Sequence, residues 1–489
     1  MSETGKVDHS FDEDSNWFIR QISSRKRVLP TFAHACRTIT DRTEKDLDKL
    51  IESHAKDKTY DEQGRLETYV VEEGFAKRHA ILQRAFDDFA IFSVSLPKMA
   101  VVSVVSLFDA FLSRTLRNVY KAKPEILNSC TRQITFTELM QFGSIENARE
   151  FIIDKEIETL LRDSHIAQFE WLSKRLDVKL TNLPSWKDFV ELTERRNLLV
   201  HADGRASAHY IDTCKKYEIK VDPTTIPGTR LNITPEYYRN ACNCVAEIGL
   251  KLVQVLWRKL LPSELEDAEG SYIEICYDLL IQHDYKLAEK MLSLTTEKAF
   301  KKVNAESSLY MTINLAISFK GQEKLKELNK LLDTIDFSPL SSKFKLASLV
   351  LTDKYDDAAD LMRKIGNSEE VSEVNYTEWP LFRWFRKTDQ FKSAFKDIYG
   401  RDFVIVKGTL SLDEMDDSDL VEVAEMEEES ESAQIDAQVP SKNDIGASDN
   451  YSTRGCEPHG QDQDHVEVAP ANLLKGAEHT DADLKTLNQ

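Results

Sequence analysis

One short segment of the sequence combines residue types that can act on a phosphodiester. Arg196 is followed directly by Asn197, and His201 comes five positions after the arginine. An arginine guanidinium is planar and permanently charged, and its donors match two phosphate oxygens. An imidazole titrates near neutrality, so it can take a proton from a ribose 2′-hydroxyl or give one to a leaving oxygen. The pattern predicts RNA cleavage without a metal, in which the arginine stabilises charge on phosphorus.

The same segment has the signals of a helix that ends at the histidine. Pro184 and Ser185 precede Trp186, where the helix should begin, and Asp203–Gly204 is a stop signal after His201. Five helical positions give a net rotation of about 140° and a rise of about 7.5 Å, so the arginine and the histidine do not share one narrow stripe. A histidine at the end of a helix can still turn toward the pocket that a long arginine reaches.

Each of these residues also has a structural explanation. His201 could simply interact with the negative end of the helix dipole. Arg196 could be a surface side chain paired with Glu191 or Glu194, and Asn197 could bond locally. Basic residues beside the segment are candidates for contacts with RNA phosphates, or else solvated charges; they are Arg195, Arg205, His209, Lys215 and Lys216.

Apolar residues recur at helical spacing through most of the chain, and no stretch alternates convincingly with period two. The most apolar helix, from Met99 to about Tyr120, should be the centre of an all-α bundle over residues 61–262. Pro97 is expected to interrupt the helical run that precedes this helix, and residues 1–60 are expected to form an arm or a helical extension. Asp109 on the central helix fits a buried polar anchor better than a catalyst, and it needs a partner. The other predicted helices of the bundle span about 144–161, 166–176, 186–201 and 235–261.

The arginine–asparagine–histidine string resembles the HEPN superfamily, whose hallmark is an arginine, usually a polar residue next, and a histidine after four to six residues. The similarity extends over about residues 95–262. It includes the apolar helix with Asp109, the tryptophan Trp186 at the start of the motif helix, and Leu256–Trp257 at the end of the last helix. It is closest to HEPN groups of bacterial defence and toxin systems. The resemblance implies a helical bundle that forms a two-fold homodimer with a composite site. Many members are metal-independent endoribonucleases, and others only bind nucleotides or RNA.

Residues 268–404 carry an internal repeat. Tyr285, Tyr355 and Phe391 each begin an aromatic-x-x-Ala string, and Gln322 begins a degenerate copy, at spacings of about 33 to 37 residues. This period resembles the helix-turn-helix unit of tetratricopeptide repeats, although the repeat's other consensus residues are missing. In the three aromatic copies the small alanine should let the second helix pack close to the first. Stacked hairpins make extended surfaces, so this part is predicted to bind a protein partner.

Charge is distributed unevenly along the 489 residues. The net charge is −20, but residues 411–489 alone carry 21 acidic and 4 basic side chains, so the rest is almost neutral. We predict that residues 405–489 are disordered and solubilising, because they contain few residues that could form a core. The seven cysteines are odd in number and lack zinc-site or disulfide spacing, which favours a reducing, cytoplasmic location. We expect no metal, no cofactor and no membrane span.

The sequence therefore predicts an all-α endoribonuclease that acts on single-stranded RNA or RNA loops, whose exposed bases allow in-line attack. A role in phage defence or stress response follows only from the resemblance. The main alternative is a non-catalytic scaffold that dimerises through the bundle and holds a protein or RNA partner on the repeats. A third possibility is a nucleotide-binding or regulatory subunit of a separate enzyme.

Overall fold

The structure is a computed structural model, and it describes residues 10–296 and 303–404 of the chain. These residues are mostly helical, which confirms the all-α class, with one two-stranded sheet. The predicted disordered acidic segment, 405–489, lies outside the described residues. The strands are β1 (Ala55–Tyr60) and β2 (Leu66–Val71), and the helices are α1 (Phe11–His54), α2 (Ala76–Ala122), α3 (Phe136–Phe142), α4 (Ile145–Leu161), α5 (His165–Leu176), α6 (Trp186–His201), α7 (Ala208–Lys216), α8 (Pro235–Leu260), α9 (Leu265–Ile281), α10 (Tyr285–Ser293), α11 (Ala305–Gly321), α12 (Leu325–Leu332), α13 (Ser342–Leu351), α14 (Tyr355–Ile365), α15 (Glu373–Glu378) and α16 (Asp389–Tyr399).

The described residues divide into two compact units, one made of residues 33–93 and the other of residues 10–32 with 94–404. The smaller unit contains an antiparallel β-hairpin that the sequence did not predict. Its strands expose charged residues on one side, so the alternation of apolar and polar residues is weak. Leu47, Ile51 and Tyr69 form a small core, and the Tyr69 hydroxyl lies 2.7 Å from Nε2 of His79.

Two long helices continue through prolines. Helix α1 includes Pro30, so residues 11–54 are one long helix, the helical extension rather than the arm of the two predicted alternatives. Helix α2 continues through Pro97, where the sequence predicts an interruption. A proline inside a helix removes one backbone hydrogen bond, and packing of the flanking turns must offset that loss. The segment Glu73–Ala122, which contains α2, is long and apolar enough to cross a membrane by length and composition alone, and 39% of its most apolar stretch is buried.

One large hydrophobic core extends through the larger unit, from Phe11 to Phe395. A small separate cluster consists of Leu198, Ala206, Tyr210 and Cys214. Helix α8 lies at the centre of the large core, since most of its residues are buried. The predicted boundary between bundle and hairpins falls at the short 3-10 turn Pro262–Glu264, and the apolar contacts continue across this turn. The helices around the candidate site are therefore held by the same core as the hairpins.

The C-terminal part consists of helical hairpins, α9 with α10, α11 with α12, and α13 with α14. Each hairpin turns through a residue with positive φ two positions before its second helix, namely His283, Glu323 and Asp353. The next residue in each turn donates its backbone N–H to the carbonyl five residues earlier, at 2.8 to 3.0 Å. The turn geometry thus recurs in three copies.

The repeat alanines lie at the hairpin interfaces. Ala288, Ala358 and Ala394 are fully buried, in agreement with the close packing expected from the sequence. The apolar segment Trp379–Phe385 precedes the Phe391 copy, where the repeat requires a first helix. It forms two 3-10 turns instead, Pro380–Phe382 and Phe385–Lys387. Proline at the start of the first turn leaves no N–H for a continuous helix from α15.

Gly249 allows α8 to pack against two stacked rings. The rings of Phe18 and Phe111 are parallel with centroids 3.9 Å apart, and a Cβ on Gly249 would come within 2.6 Å of the Phe18 ring. We expect Gly249→Ala to lower the free energy of unfolding by about 1–3 kcal/mol, as overpacking does. Gly270→Ala on α9 is the matched control, since nothing lies within 4 Å and a gain of up to about 1 kcal/mol is expected. Urea unfolding of both variants measures the difference, and equal stabilities would contradict it.

Candidate functional site

Helix α6 is positioned by a cluster of buried aromatic rings. Its Phe189 packs edge-on against Phe108 of α2, with ring centroids 5.0 Å apart, and against Phe169 of α5 at 5.6 Å. Trp186 packs edge-on against Phe169 at 4.9 Å. Because these contacts lie in the first turn of α6, they fix the direction of the whole helix and so of its last turn.

The last turn of α6 ends where the sequence indicates. His201 is the final helical residue, and Asp203 and Gly204 both adopt positive φ. The Gly204 N–H donates to the carbonyl of Leu198 at 3.0 Å, which closes the helix. Asp203 also accepts hydrogen bonds from Lys98 at 2.8 Å and from Arg230 at 2.7 Å, and these cations lower its pKa.

Asp109 bridges two cationic or titratable side chains from different helices. Its Oδ2 accepts from Nη2 of Arg196 at 2.7 Å, and its Oδ1 lies 2.8 Å from Nε2 of His165. His165 is buried at the start of α5, while the Arg196 side chain keeps 22% of its surface exposed. Asp109 thus has the partner that a carboxylate on an apolar helix requires. The Arg196 fork is held in one orientation by this contact.

Asn197 and His201 complete the predicted set. Oδ1 of Asn197 accepts from Nη1 of Arg196 at 3.2 Å, so the asparagine supports the arginine from the same helix. His201 is exposed, and its side chain forms no hydrogen bond or ion pair with the residues that the structure describes. The structure therefore joins Asp109, Arg196 and Asn197 directly, whereas His201 stands apart at the helix end.

Arg195 faces the interior on another side of α6. Its Nε donates to Oε1 of Glu191 at 2.7 Å, and its guanidinium lies 4.2 Å from the centroid of the Tyr237 ring. The hydroxyls of Tyr210 and Tyr237 donate to the two oxygens of Glu191, at 2.7 and 2.9 Å. Our prediction of Arg195 as an RNA contact is therefore not supported by its position, because a buried carboxylate and two phenols hold the guanidinium. The network borders a cavity of about 600 Å³.

Burial and charge both act on this network. Burial alone would lower the pKa of Arg195, but electrostatic interactions with Tyr237 and with the Glu191 carboxylate outweigh it and raise that pKa. Burial, followed by the nearby Glu191 carboxylate, raises the pKa of Tyr210 and that of Tyr237. The phenols stay protonated, so they can donate to Glu191, and the arginine stays charged.

The remaining predicted RNA contacts are exposed. Arg205 donates to the carbonyl of Gly228 at 3.1 Å, and Lys215 and Lys216 lie in the last turn of α7. His209, also on α7, has Nε2 3.6 Å from Oε2 of Glu194. These side chains are accessible to a polyanion, and their RNA contacts stay a prediction.

The sequence did not identify His165 as a partner of Asp109, nor Tyr210 and Tyr237 as partners of Glu191. Both sets join residues that are far apart in the chain, and neither has a local motif. The sequence does contain a local capping signal for the helix that carries His165, since the hydroxyl of Ser164 accepts from the backbone N–H of Ala167. This signal predicts the start of the helix but not the partner of His165.

Among the residues that the structure describes, no group of three or more histidine, cysteine or acidic side chains is arranged to hold a metal ion. The chain was also compared with known proteins. No protein-family model, no curated protein and no solved structure matches it.

Proposed function

We propose that this chain is a HEPN-type endoribonuclease that cleaves RNA without a metal ion, with Arg196, Asn197 and His201 as its catalytic residues. The observation that carries the proposal is that one helix presents both an oriented arginine and an exposed histidine. Asp109 and Asn197 fix the Arg196 guanidinium, and His201 is accessible at the helix end. The Arg196 side chain keeps 22% of its surface exposed, while its Nε is buried and has no acceptor within the described residues.

The chemistry follows from these two groups. His201 takes the proton from a ribose 2′-hydroxyl, and the resulting oxygen attacks the adjacent phosphorus in line with the leaving 5′-oxygen. Arg196 stabilises the negative charge on the phosphorane. The P–O5′ bond breaks, the 5′-oxygen takes a proton, and the products are a 2′,3′-cyclic phosphate and a 5′-hydroxyl. Finding these ends after incubation of purified chain with RNA in EDTA is the test of the proposal.

The resemblance implies a homodimer with two arginine–histidine pairs in one site, and an exposed apolar surface supports this. Val94 and Met99 of α2 and Val200 of α6 are each about half exposed. The ion pair between Lys98 and Asp203 joins the two segments that carry them. Isolated exposed apolar residues are common, but three around one ion pair beside the site favour burial by a second copy.

Asp109→Asn tests the support of the arginine. The amide keeps the shape of the carboxylate but removes its charge, so Arg196 loses its strongest partner. We expect cleavage to fall about 10- to 100-fold, comparable to other losses of an orienting contact. Asp109→Glu should restore part of the activity, while melting temperature separates this effect from unfolding. Full activity in Asp109→Asn would show that the contact has no catalytic importance.

A non-catalytic scaffold is the second candidate. It is favoured by the contact of Arg196 with Asp109, because a paired arginine can also act as a structural tie between helices. This reading predicts no cleavage under any condition, and a protein partner bound to the hairpins.

A further inference from the structure

The larger unit contains a second site, a cleft of about 930 Å³ between the start of α1 and the C-terminal hairpins. Its walls come from α1, α9, α11, α13 and the segment around α15. No residue of the predicted catalytic set lines it. A cavity of this size is typical of ligand sites.

The cleft is strongly acidic. Glu274 and Asp278 of α9 and Glu369 and Glu370 before α15 have no ion-pair partner in the described part of the chain. Six carboxylates line the cleft; they are Asp12, Glu13, Glu274, Asp278, Glu369 and Glu370.

The two cations of the lining offset little of this charge. Lys343 donates to Oε1 of Glu306 at 2.8 Å, so its charge is already compensated by a residue outside the lining. Arg20 is exposed. The cleft therefore attracts cations and repels phosphates.

One of the residues that line the cleft also carries a buried acceptor. Asn314 of α11 is only 2% exposed, and its Oδ1 has no hydrogen-bond partner in the described structure. A buried carbonyl oxygen without a donor is costly, and it is satisfied when a ligand supplies an N–H. This observation does not depend on the acidic side chains. Like them, however, the Asn314 oxygen would be satisfied by a hydrogen-bond donor.

Aromatic side chains line the cleft together with the carboxylates. They are Trp17, Tyr277, Tyr310 and Trp379, and the rings of Tyr310 and Trp379 lie 6.4 Å apart. Nζ of Lys343 donates to the Tyr310 hydroxyl at 2.7 Å, which holds that ring in place. Aromatic faces attract ammonium and guanidinium groups and pack against the apolar stems of lysine and arginine.

We propose that this cleft binds a lysine- and arginine-rich peptide segment of a partner protein. Carboxylates would pair with the basic side chains, the rings would cover their stems, and Oδ1 of Asn314 would accept an N–H from the peptide. The chain's own acidic segment, residues 411–489, has the wrong charge to occupy the cleft. The proposal does not depend on RNA cleavage.

The test uses the full chain and a fluorescently labelled ten-residue peptide of lysine, arginine and glycine, followed by fluorescence anisotropy. We expect saturable binding that weakens as salt rises. The double variant Glu274→Gln/Asp278→Asn should weaken binding about tenfold. The matched control, Glu266→Gln/Asp267→Asn, removes two exposed carboxylates from the same helix outside the cleft and should leave binding unchanged.

Both double variants keep the acidic segment, residues 411–489, unchanged. Any binding of the peptide to that segment therefore contributes equally to the two measurements. Equal weakening by the two variants, or no binding at all, would overturn the proposal. A parallel titration with spermine separates a peptide from a small polyamine. Binding of spermine without binding of the peptide would refute a peptide ligand.

Asn314→Leu gives a second readout that does not depend on charge. It removes a buried acceptor that has no donor, so the melting temperature of the free chain should rise by about 2 °C. The same change should weaken peptide binding, because the peptide N–H loses its acceptor. A fall in melting temperature together with unchanged binding would show that Asn314 belongs to the fold alone.

Discussion

Replacing His201 with alanine is expected to reduce RNA cleavage in EDTA by at least about 100-fold, because general acid–base catalysis contributes about 10²–10⁴. The side chain is exposed and forms no bond within the described residues, so the fold should not change. The measurement is the rate of cleavage of an end-labelled RNA, with the melting temperature recorded on the same preparations.

His34→Ala is the matched control for this experiment. His34 is also an exposed histidine, on α1, and it belongs neither to the predicted catalytic set nor to the candidate RNA contacts. Its replacement should change the rate less than about twofold, as expected for a surface residue away from the chemistry. A His201→Ala variant that cleaves as fast as the unmodified chain would exclude the nuclease. Loss of activity with EDTA in the unmodified chain would point to a contaminating metal-dependent enzyme.

Local signals made the candidate helix predictable. Trp186 as the first residue, His201 as the last and the Asp203–Gly204 stop are all confirmed. Helix ends depend on residues within a few positions, so a single sequence contains the information. The repeat alanines were predictable for the same reason, since their spacing from an aromatic residue is local.

Long-range partners were not predictable. Asp109 and Arg196 are 87 positions apart, and Asp109 and His165 are 56 apart. Nothing in the sequence specifies which polar side chain meets a carboxylate on an apolar helix, although the need for a partner was clear. The β-hairpin was missed because an exposed, charged strand gives little alternation.

The two adjacent arginines show a second reason why the sequence alone could not predict the site. Arg195 and Arg196 are neighbours in the sequence, but a helix turns about 100° per residue, so they face different surroundings. Arg195 contacts Glu191 and Tyr237, whereas Arg196 contacts Asp109. The face of the helix that lies against the core decides which arginine is accessible, and only tertiary packing fixes that face.

The interior network of α6 should be the costliest polar contact to break near the site. We expect Arg195→Ala to lower the free energy of unfolding by about 3–5 kcal/mol, because it leaves the Glu191 carboxylate buried without a cation. The side chains of Glu191 and Arg195 are 11% and 13% exposed, so solvent screens their interaction little. The hydroxyls of Tyr210 and Tyr237 still donate to the carboxylate, which argues for the lower end of that range. Urea unfolding provides the measurement.

Lys187→Ala on the same helix is the control for this prediction. Lys187 pairs with Glu218 at 2.8 Å, but their side chains are 49% and 83% exposed, so the loss of stability should be much smaller than that of Arg195→Ala. The double variant Arg195→Met/Glu191→Gln removes both charges at once and should be more stable than Arg195→Ala, since no uncompensated carboxylate remains. If Arg195→Ala cost no more than Lys187→Ala, water would have to reach Glu191 through the adjoining cavity. The network would then be a solvated surface pair, and Arg195 would return to the set of candidate RNA contacts.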